Sequence, residues 1–278
     1  MPNLFWTKPE LDLELLVVTE LLNMQSLHYG YWETSPTKID LDAIRQAQTD
    51  YTKTLLEMFP EYVSSVLDVG CGIGDNAAAM VSKGMEVTAI SPDQNHGQYI
   101  KSLVDGKIDF HNTRIQEFTS DKQFDLVLMS ESQDYFPIDI GLSQTKKFVK
   151  ENGYLLISGF FRNADTPEFK ECHIEQDYVD AAARYGFSQI ERIDITSNVT
   201  PTLDYCAKMV DEFIEKPYSL LDRYAQGNLK LKLWLVKLFF RKQIKQLLEM
   251  KAYYDKRFDV ELFRDRISYA RLLFQKVK

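Results

Sequence analysis

The amino-acid sequence predicts a doubly wound α/β fold. Its parts are a mostly parallel sheet of seven strands, an N-terminal helical lid, and a helical cap inserted before the last strand. Three observations carry this expectation. Short apolar runs alternate with amphipathic stretches from residue 66 to residue 195. One of those runs, Val66-Leu67-Asp68-Val69, leads straight into three alternating glycines, Gly70, Gly72 and Gly74. A helical pattern over 201–265 then interrupts the alternation before a last strand-like run at 269–274.

Taken in order, Leu11, Leu15, Val18 and Leu22 recur at three- and four-residue steps, which predicts an amphipathic helix over 10–24. An aromatic loop follows, and a second helix is expected over 42–59, stopping at Pro60. Residues 66–69 read as a buried strand, 75–83 as a helix closed by Gly84, 86–90 as a strand and 94–104 as a helix. Strands are expected at 107–110 and 124–129, then a helix near 142–149. Asn152-Gly153 reads as a turn before a strand at 154–158. A helix over 177–184 ends at Gly186, and the last two strands fall at 189–195 and 269–274. The expected organisation is a lid segment at 1–60, a core of 61–200 plus 266–278, and the cap at 201–265.

The composition is that of a soluble globular chain. Its 278 residues are 45% apolar and 27% charged, with a mean hydropathy of −0.30. Disordered, collagen-like and membrane-spanning classes are thereby excluded. The first residues lack a basic stretch followed by an apolar core, so no signal peptide is expected. Three scattered cysteines, Cys71, Cys172 and Cys206, point to a reducing cytoplasm and not to a disulfide framework or zinc knuckle. His96, His111 and His173 show no metal-ligand spacing, and no metal site is expected.

Charge is unevenly placed. The net charge is −8, which argues against nucleic acid as the main partner. From residue 204 onward there are 17 basic and 10 acidic residues; before it there are 16 and 31. Residues 228–248 carry Lys230, Lys232, Lys237, Arg241, Lys242 and Lys245 with no acid, around Trp234, Leu235, Leu238 and Phe239. Such a helix suits the surface of an anionic membrane, and equally the acidic remainder of the same chain. The first alternative allows peripheral membrane contact and a lipid-like acceptor.

The glycine loop is the sharpest signal. Glycines let the backbone turn tightly and approach a ligand, and the helix after them offers free N–H groups. A dinucleotide site has the spacing G-x-G-x-x-G. Here the spacing is G-x-G-x-G, led by Asp68 two residues before the first glycine. A carboxylate there suits a cofactor amine and not a pyrophosphate.

These residues, LDVGCGIGD, resemble the first motif of class I S-adenosylmethionine (SAM)-dependent methyltransferases, a likeness that covers roughly residues 25–200 and the final strand. The resemblance implies a Rossmann-like methyltransferase fold and a reaction yielding S-adenosylhomocysteine. It implies that Asp68, Gly70, Cys71, Gly72 and Gly74 hold the methionine end of SAM. After the second strand, Ser91-Pro92-Asp93-Gln94 resembles the S-P-x-Q variant of tocopherol-type and sterol C-methyltransferases and cyclopropane-fatty-acid synthases. That likeness gives Ser91 and Gln94 the ribose. The segment 112–118 lacks the usual acidic residue for adenine, which leaves backbone groups around Arg114 and the Ile115 side chain.

Beyond the fourth strand, Ser130-Glu131-Ser132 faces the reacting methyl by the rule that ligands lie past the carboxyl ends of strands. Glu131 is the candidate base or charge stabiliser, and Ser130 a cofactor contact. The segment His28-Tyr29-Gly30-Tyr31-Trp32 resembles the lid of many small-molecule methyltransferases. Aromatic faces attract a sulfonium cation, so Tyr29 and Trp32 are candidate cofactor contacts, and His28 a second candidate base. The expected acceptor is a small apolar or amphipathic molecule. Two rival readings are a SAM-binding fold used for cyclisation or scaffolding, and a peripheral membrane-binding module.

Overall fold

The computed structural model describes residues 13–163, 166, 169–212 and 259–277, together with 216, 219–220, 223–224, 241 and 245. The chain forms two compact units. One comprises Met1–Val199 with Ile267–Lys278, the other Thr200–Arg266. Most of the basic stretch 228–248 lies outside the described residues, including Lys230, Lys232, Trp234, Leu235, Lys237, Leu238, Phe239 and Lys242. Arg241 and Lys245 are helical and exposed. Among the described residues, no helix is long and apolar enough to cross a membrane.

The first unit opens with helix α1 (Leu13–Leu16), which loosens at once into wider i→i+5 turns over Val17–Leu21. Of the helix expected over 10–24, residues 10–12 lie outside the described residues. Helix α2 (Leu41–Leu56) starts where Asp40 caps it, accepting a hydrogen bond from the Ala43 N–H at 3.0 Å. The alternation then follows: β1 (Ser65–Val69), α3 (Asp75–Ser82), β2 (Glu86–Ser91), α4 (His96–Ser102), β3 (Asp109–Asn112) and β4 (Phe124–Ser130). After these come α5 (Ile138–Phe148), β5 (Val149–Arg162), α6 (Glu175–Arg184) and β6 (Phe187–Asp194). Helix α7 (Thr196–Val210) runs across the boundary between the units, and α8 (Val260–Arg266) ends the second unit. Strand β7 (Ile267–Lys276) returns the chain to the sheet.

All seven strands join one sheet in the order β3-β2-β1-β4-β5-β7-β6. The first five pair in parallel, and β7 runs antiparallel between β5 and β6. The order reverses between β1 and β4, which places a crevice at the carboxyl ends of those two strands.

One expectation is corrected. Asn152-Gly153 does not end a turn but sits inside β5. Asn152 takes a left-handed φ of 61°, and the pairing with β4 slips between Phe124 and Leu126. The dipeptide therefore builds a bulge, and the strand begins at Val149.

Alternation along the strands sorts side chains between two faces. Leu67, Val69, Val127, Met129, Leu155, Ile157, Phe161, Ala270, Leu272 and Phe274 join a core with Leu142, Phe148, Tyr178 and Ala181 from α5 and α6. The opposite face of β4, β5 and β7 carries polar groups, Ser130, Ser158, Tyr269 and Arg271, and it meets Tyr51 of α2 through hydrogen bonds. Pairing places Ser130 beside Ser158, Ser158 beside Arg271, and Phe160 beside Tyr269.

Candidate active site

The crevice is built first by the turn between β1 and α3. Gly70, Gly72 and Gly74 all take left-handed φ values, 76°, 55° and 92°. At Gly70 the space is as restrictive as the angle. A Cβ there would lie 2.4 Å from Cβ of Ser132, whose hydroxyl donates to the Val69 carbonyl. The turn is pinned to β2, where the Gly70 and Cys71 N–H groups donate to the Ile90 carbonyl at 2.9 and 3.2 Å. Cys71 itself is buried, and burial above all pushes its thiol well up.

Asp68, at the end of β1, is 1% exposed, and among the described residues its Oδ2 has no hydrogen-bond partner. Burial raises its pKa to about 7, with the charge of Asp75 adding to the effect. A carboxylate so placed calls for a donor or cation.

The segment Ser26–Trp32 comes over this turn and is stitched down on several sides. Gln48 of α2 donates to the Ser26 and His28 carbonyls at 3.2 and 2.7 Å. The Tyr31 N–H donates to Ala47, and the Trp32 N–H to Asn198, whose side chain donates back to the Trp32 carbonyl. Ser26 donates to Asp75, the first residue of α3, at 2.9 Å. His28 is buried and stacked on Tyr51 with ring centroids 4.2 Å apart. Its Nε2 lies 2.7 Å from Asp75 Oδ2 and its Nδ1 2.7 Å from the Tyr29 carbonyl. Burial works against a charge on the ring, yet Asp75 prevails and the His28 pKa is raised; burial likewise opposes the charge on Asp75, and His28 holds that pKa down.

Glu131 closes the site from the end of β4. It takes a left-handed φ of 55°, and its N–H donates to the Ser158 carbonyl at 2.7 Å. A non-glycine residue held there carries strain of order 1 kcal/mol. Its Oε1 accepts from the Tyr29 N–H at 3.1 Å and from the Tyr269 hydroxyl at 2.7 Å. Around it the rings of Tyr29, Phe160 and Tyr269 meet edge to face, with centroids 4.6 to 6.4 Å apart.

Of the residues singled out in the sequence, the structure brings His28, Tyr29, Ser130 and Glu131 into one hydrogen-bonded cluster. Trp32 is half-buried, and its backbone exchanges hydrogen bonds with Asn198. Ser91 is turned inward, its hydroxyl 2.8 Å from His96 Nδ1, while Gln94 is exposed on the turn after it. Arg114 is exposed, and Ile115 lies in the main core. Two residues of the cluster, Tyr51 and Tyr269, were read only as parts of a helix and a strand. The signal that marks them is polarity at alternate positions of β7, where Tyr269 and Arg271 interrupt an apolar run.

Comparison with known proteins supplies the wider setting. Residues 43–199 match a family described as a methyltransferase domain. A ubiquinone biosynthesis O-methyltransferase of Bradyrhizobium diazoefficiens is 30% identical over 158 residues, 52% of this chain and 62% of that protein. The chain spans about three fifths of the length of the first such curated relatives. Among solved structures, the [4+2]-cyclase SpnF superposes with a TM-score of 0.68 at 16% identity, covering 95% of both chains. A geranyl diphosphate C-methyltransferase from Streptomyces coelicolor, solved with S-adenosyl-L-homocysteine, gives 0.69 at 13% identity and covers 94% of this chain and 92% of that one. At such identities the likeness is one of fold.

Proposed function

The chain belongs to the methyltransferase-domain family, and we propose that it transfers a methyl group from SAM to a small apolar or amphipathic acceptor, at carbon or oxygen. The observation that carries the reading is the buried Asp68 carboxylate, whose Oδ2 has no hydrogen-bond partner among the described residues, beside a turn of three left-handed glycines. An ammonium group supplies what that oxygen lacks, and the ammonium of an amino-acid cofactor fits it where a phosphate would not.

When bound, SAM supplies an electrophilic methyl carbon whose bond to sulfur breaks as the new bond forms, leaving a neutral thioether. The protein's own part is alignment, charge and exclusion of water. Asp68 holds the amine, and the left-handed turn of Gly70, Gly72 and Gly74 lets the cofactor approach the backbone closely. Glu131 takes the proton that the acceptor atom loses. The edges of Tyr29, Phe160 and Tyr269 shape an apolar approach to Glu131. This suits an isoprenoid-bearing acceptor, a class named in the geranyl diphosphate enzyme. We assign His28 to holding the lid, because both its ring nitrogens are engaged.

The test is incubation of the protein with SAM and a panel of prenylated phenols, hydroquinones and allylic diphosphates. S-adenosylhomocysteine and a methylated product should appear in equal amounts, and Glu131→Gln should slow the reaction by roughly 10²–10⁴-fold. An acceptor rearranged without S-adenosylhomocysteine would replace methyl transfer with a cyclase-type activity.

A further inference from the structure

Behind Glu131 stands a set of hydroxyls whose proton positions follow from simple counting. Tyr51 of α2 has three oxygen partners: Tyr269 at 2.8 Å, Ser158 at 2.7 Å and Ser130 at 3.0 Å. Tyr269 has two, Tyr51 and Glu131. A phenol has one proton to donate and two lone pairs. With Glu131 ionised, Tyr269 gives its proton to the carboxylate. Tyr51 then donates to the Tyr269 oxygen, and both serines donate to Tyr51. All four hydroxyls thus point the same way, and each donor is polarised by the one behind it.

The surroundings keep the phenols protonated. Tyr51 and Tyr269 are fully buried, and burial first, the charge of Glu131 next, pushes both pKa values up. Arg271 opposes this only at Tyr51, where its guanidinium stands 4.8 Å from the ring centroid and donates to the Tyr51 carbonyl at 3.1 Å. The titratable and charged groups facing Glu131 include Tyr269 from β7, Tyr51 from α2 with Arg271 behind it, and His28 from the segment before α2, with Asp75.

We propose that Tyr269, backed by Tyr51, is a positioning residue that holds Glu131 as an oriented carboxylate. The inference rests on the reading of Glu131 as the proton acceptor, and it gives that residue its working state. Without the phenol, one oxygen of a strained, half-buried carboxylate loses its short donor, and the proton affinity of Glu131 rises.

The experiment is carbon-13 NMR titration of the full chain labelled at the glutamate side-chain carboxyls, with the Glu131 signal identified by its loss in Glu131→Gln. In Tyr269→Phe the Glu131 pKa should rise by about one pH unit, and in Tyr51→Phe by a smaller amount in the same direction. An unmoved titration in folded Tyr269→Phe overturns the proposal. Should that variant fail to fold, an unmoved titration in Tyr51→Phe overturns it instead. The titration needs no acceptor, so a protein that methylates nothing still reports on Tyr269. Conversely, Glu131→Gln can abolish turnover while the titration stays put, and then only the role of Tyr269 falls. Where turnover is measurable, the acidic limb of the rate profile should move up with the pKa, which a purely structural role of Tyr269 would not produce.

Discussion

The imidazole of His28 is clamped between two acceptors, the carboxylate of Asp75 at Nε2 and the carbonyl of Tyr29 at Nδ1, each at 2.7 Å. Neither acceptor can donate while Asp75 is ionised, so both ring nitrogens carry protons and the pair is an imidazolium–carboxylate. It ties the segment before α2 to the first residue of the helix that follows the glycine turn. The raised His28 pKa contributes stability that is full below the ordinary value of 6.5 and is lost as pH rises past it. The lowered Asp75 pKa contributes stability that is full above 3.8 and is lost as pH falls. The clamp is strongest between those limits. His28→Gln removes the countercharge of the half-buried Asp75 carboxylate and should destabilise the protein by about 3 kcal/mol. Chemical denaturation at pH 5.5 and 8.5 would check it, with the larger loss expected at the lower pH.

Asp68 presents the opposite case. Its folded-state carboxyl keeps a proton up to about pH 7, whereas in the unfolded chain it loses it near 3.8. The folded state then binds more protons, so stability falls as pH rises across that interval, by roughly 4 kcal/mol at the upper bound. Asp68→Asn should abolish this slope and make the ligand-free protein more stable at pH 8, while weakening S-adenosylhomocysteine binding. Urea melts across pH, paired with calorimetric titration, would reveal whether stability and binding move in opposite directions.

At Gly70 a side chain meets both a left-handed backbone and the Ser132 Cβ. Gly70→Val is expected to lower S-adenosylhomocysteine affinity by at least tenfold, about 1.4 kcal/mol. Retained binding in calorimetry would mean that the turn does not carry the ligand.

Far from the site, at the opposite end of β4, Asp125 gathers the backbone N–H and hydroxyl groups of Ser64 and Ser65 and the Lys150 ammonium. Burial opposes its charge, but these donors hold the carboxyl well below the usual range. Asp125→Ala should lose roughly 3 kcal/mol of stability, more of it above pH 4 than below. The affinity for S-adenosylhomocysteine should stay at the wild-type value, which makes the variant a control for purely structural damage.

Much of the fold was legible because buried parallel strands are short apolar runs between turn residues. The runs at 66–69, 86–90 and 124–129 each proved to be a strand within a residue or two. The pairing order was not legible, since nothing in residues 269–274 says that they lie between β5 and β6. The bulge at Asn152 escaped for a related reason: the same Asn-Gly pair serves a turn and a bulge, and only the partner strand decides. In the site, Asp68, the glycines and Glu131 stand in local patterns. Tyr51 and Tyr269 are 218 positions apart and meet only through the sheet. The sequence assigned His28 a candidate base role, and only its two acceptors reveal the imidazolium.

The place of β7 carries a further consequence, for the order in which the molecule can be completed. Synthesis makes β5 and β6 before the strand that separates them, with the whole of Thr200–Arg266 emerging in between. Until then β5 offers a long unpaired edge, the kind of surface through which nascent chains associate wrongly. When β7 does arrive, its register decides more than the pairing. A slip of one residue would turn Tyr269 and Arg271 toward α5 and α6 and bring Ala270, Leu272 and Phe274 under α2. The polar groups that support Glu131 also make that slip costly, so the same side chains that equip the site proofread the last step of its assembly.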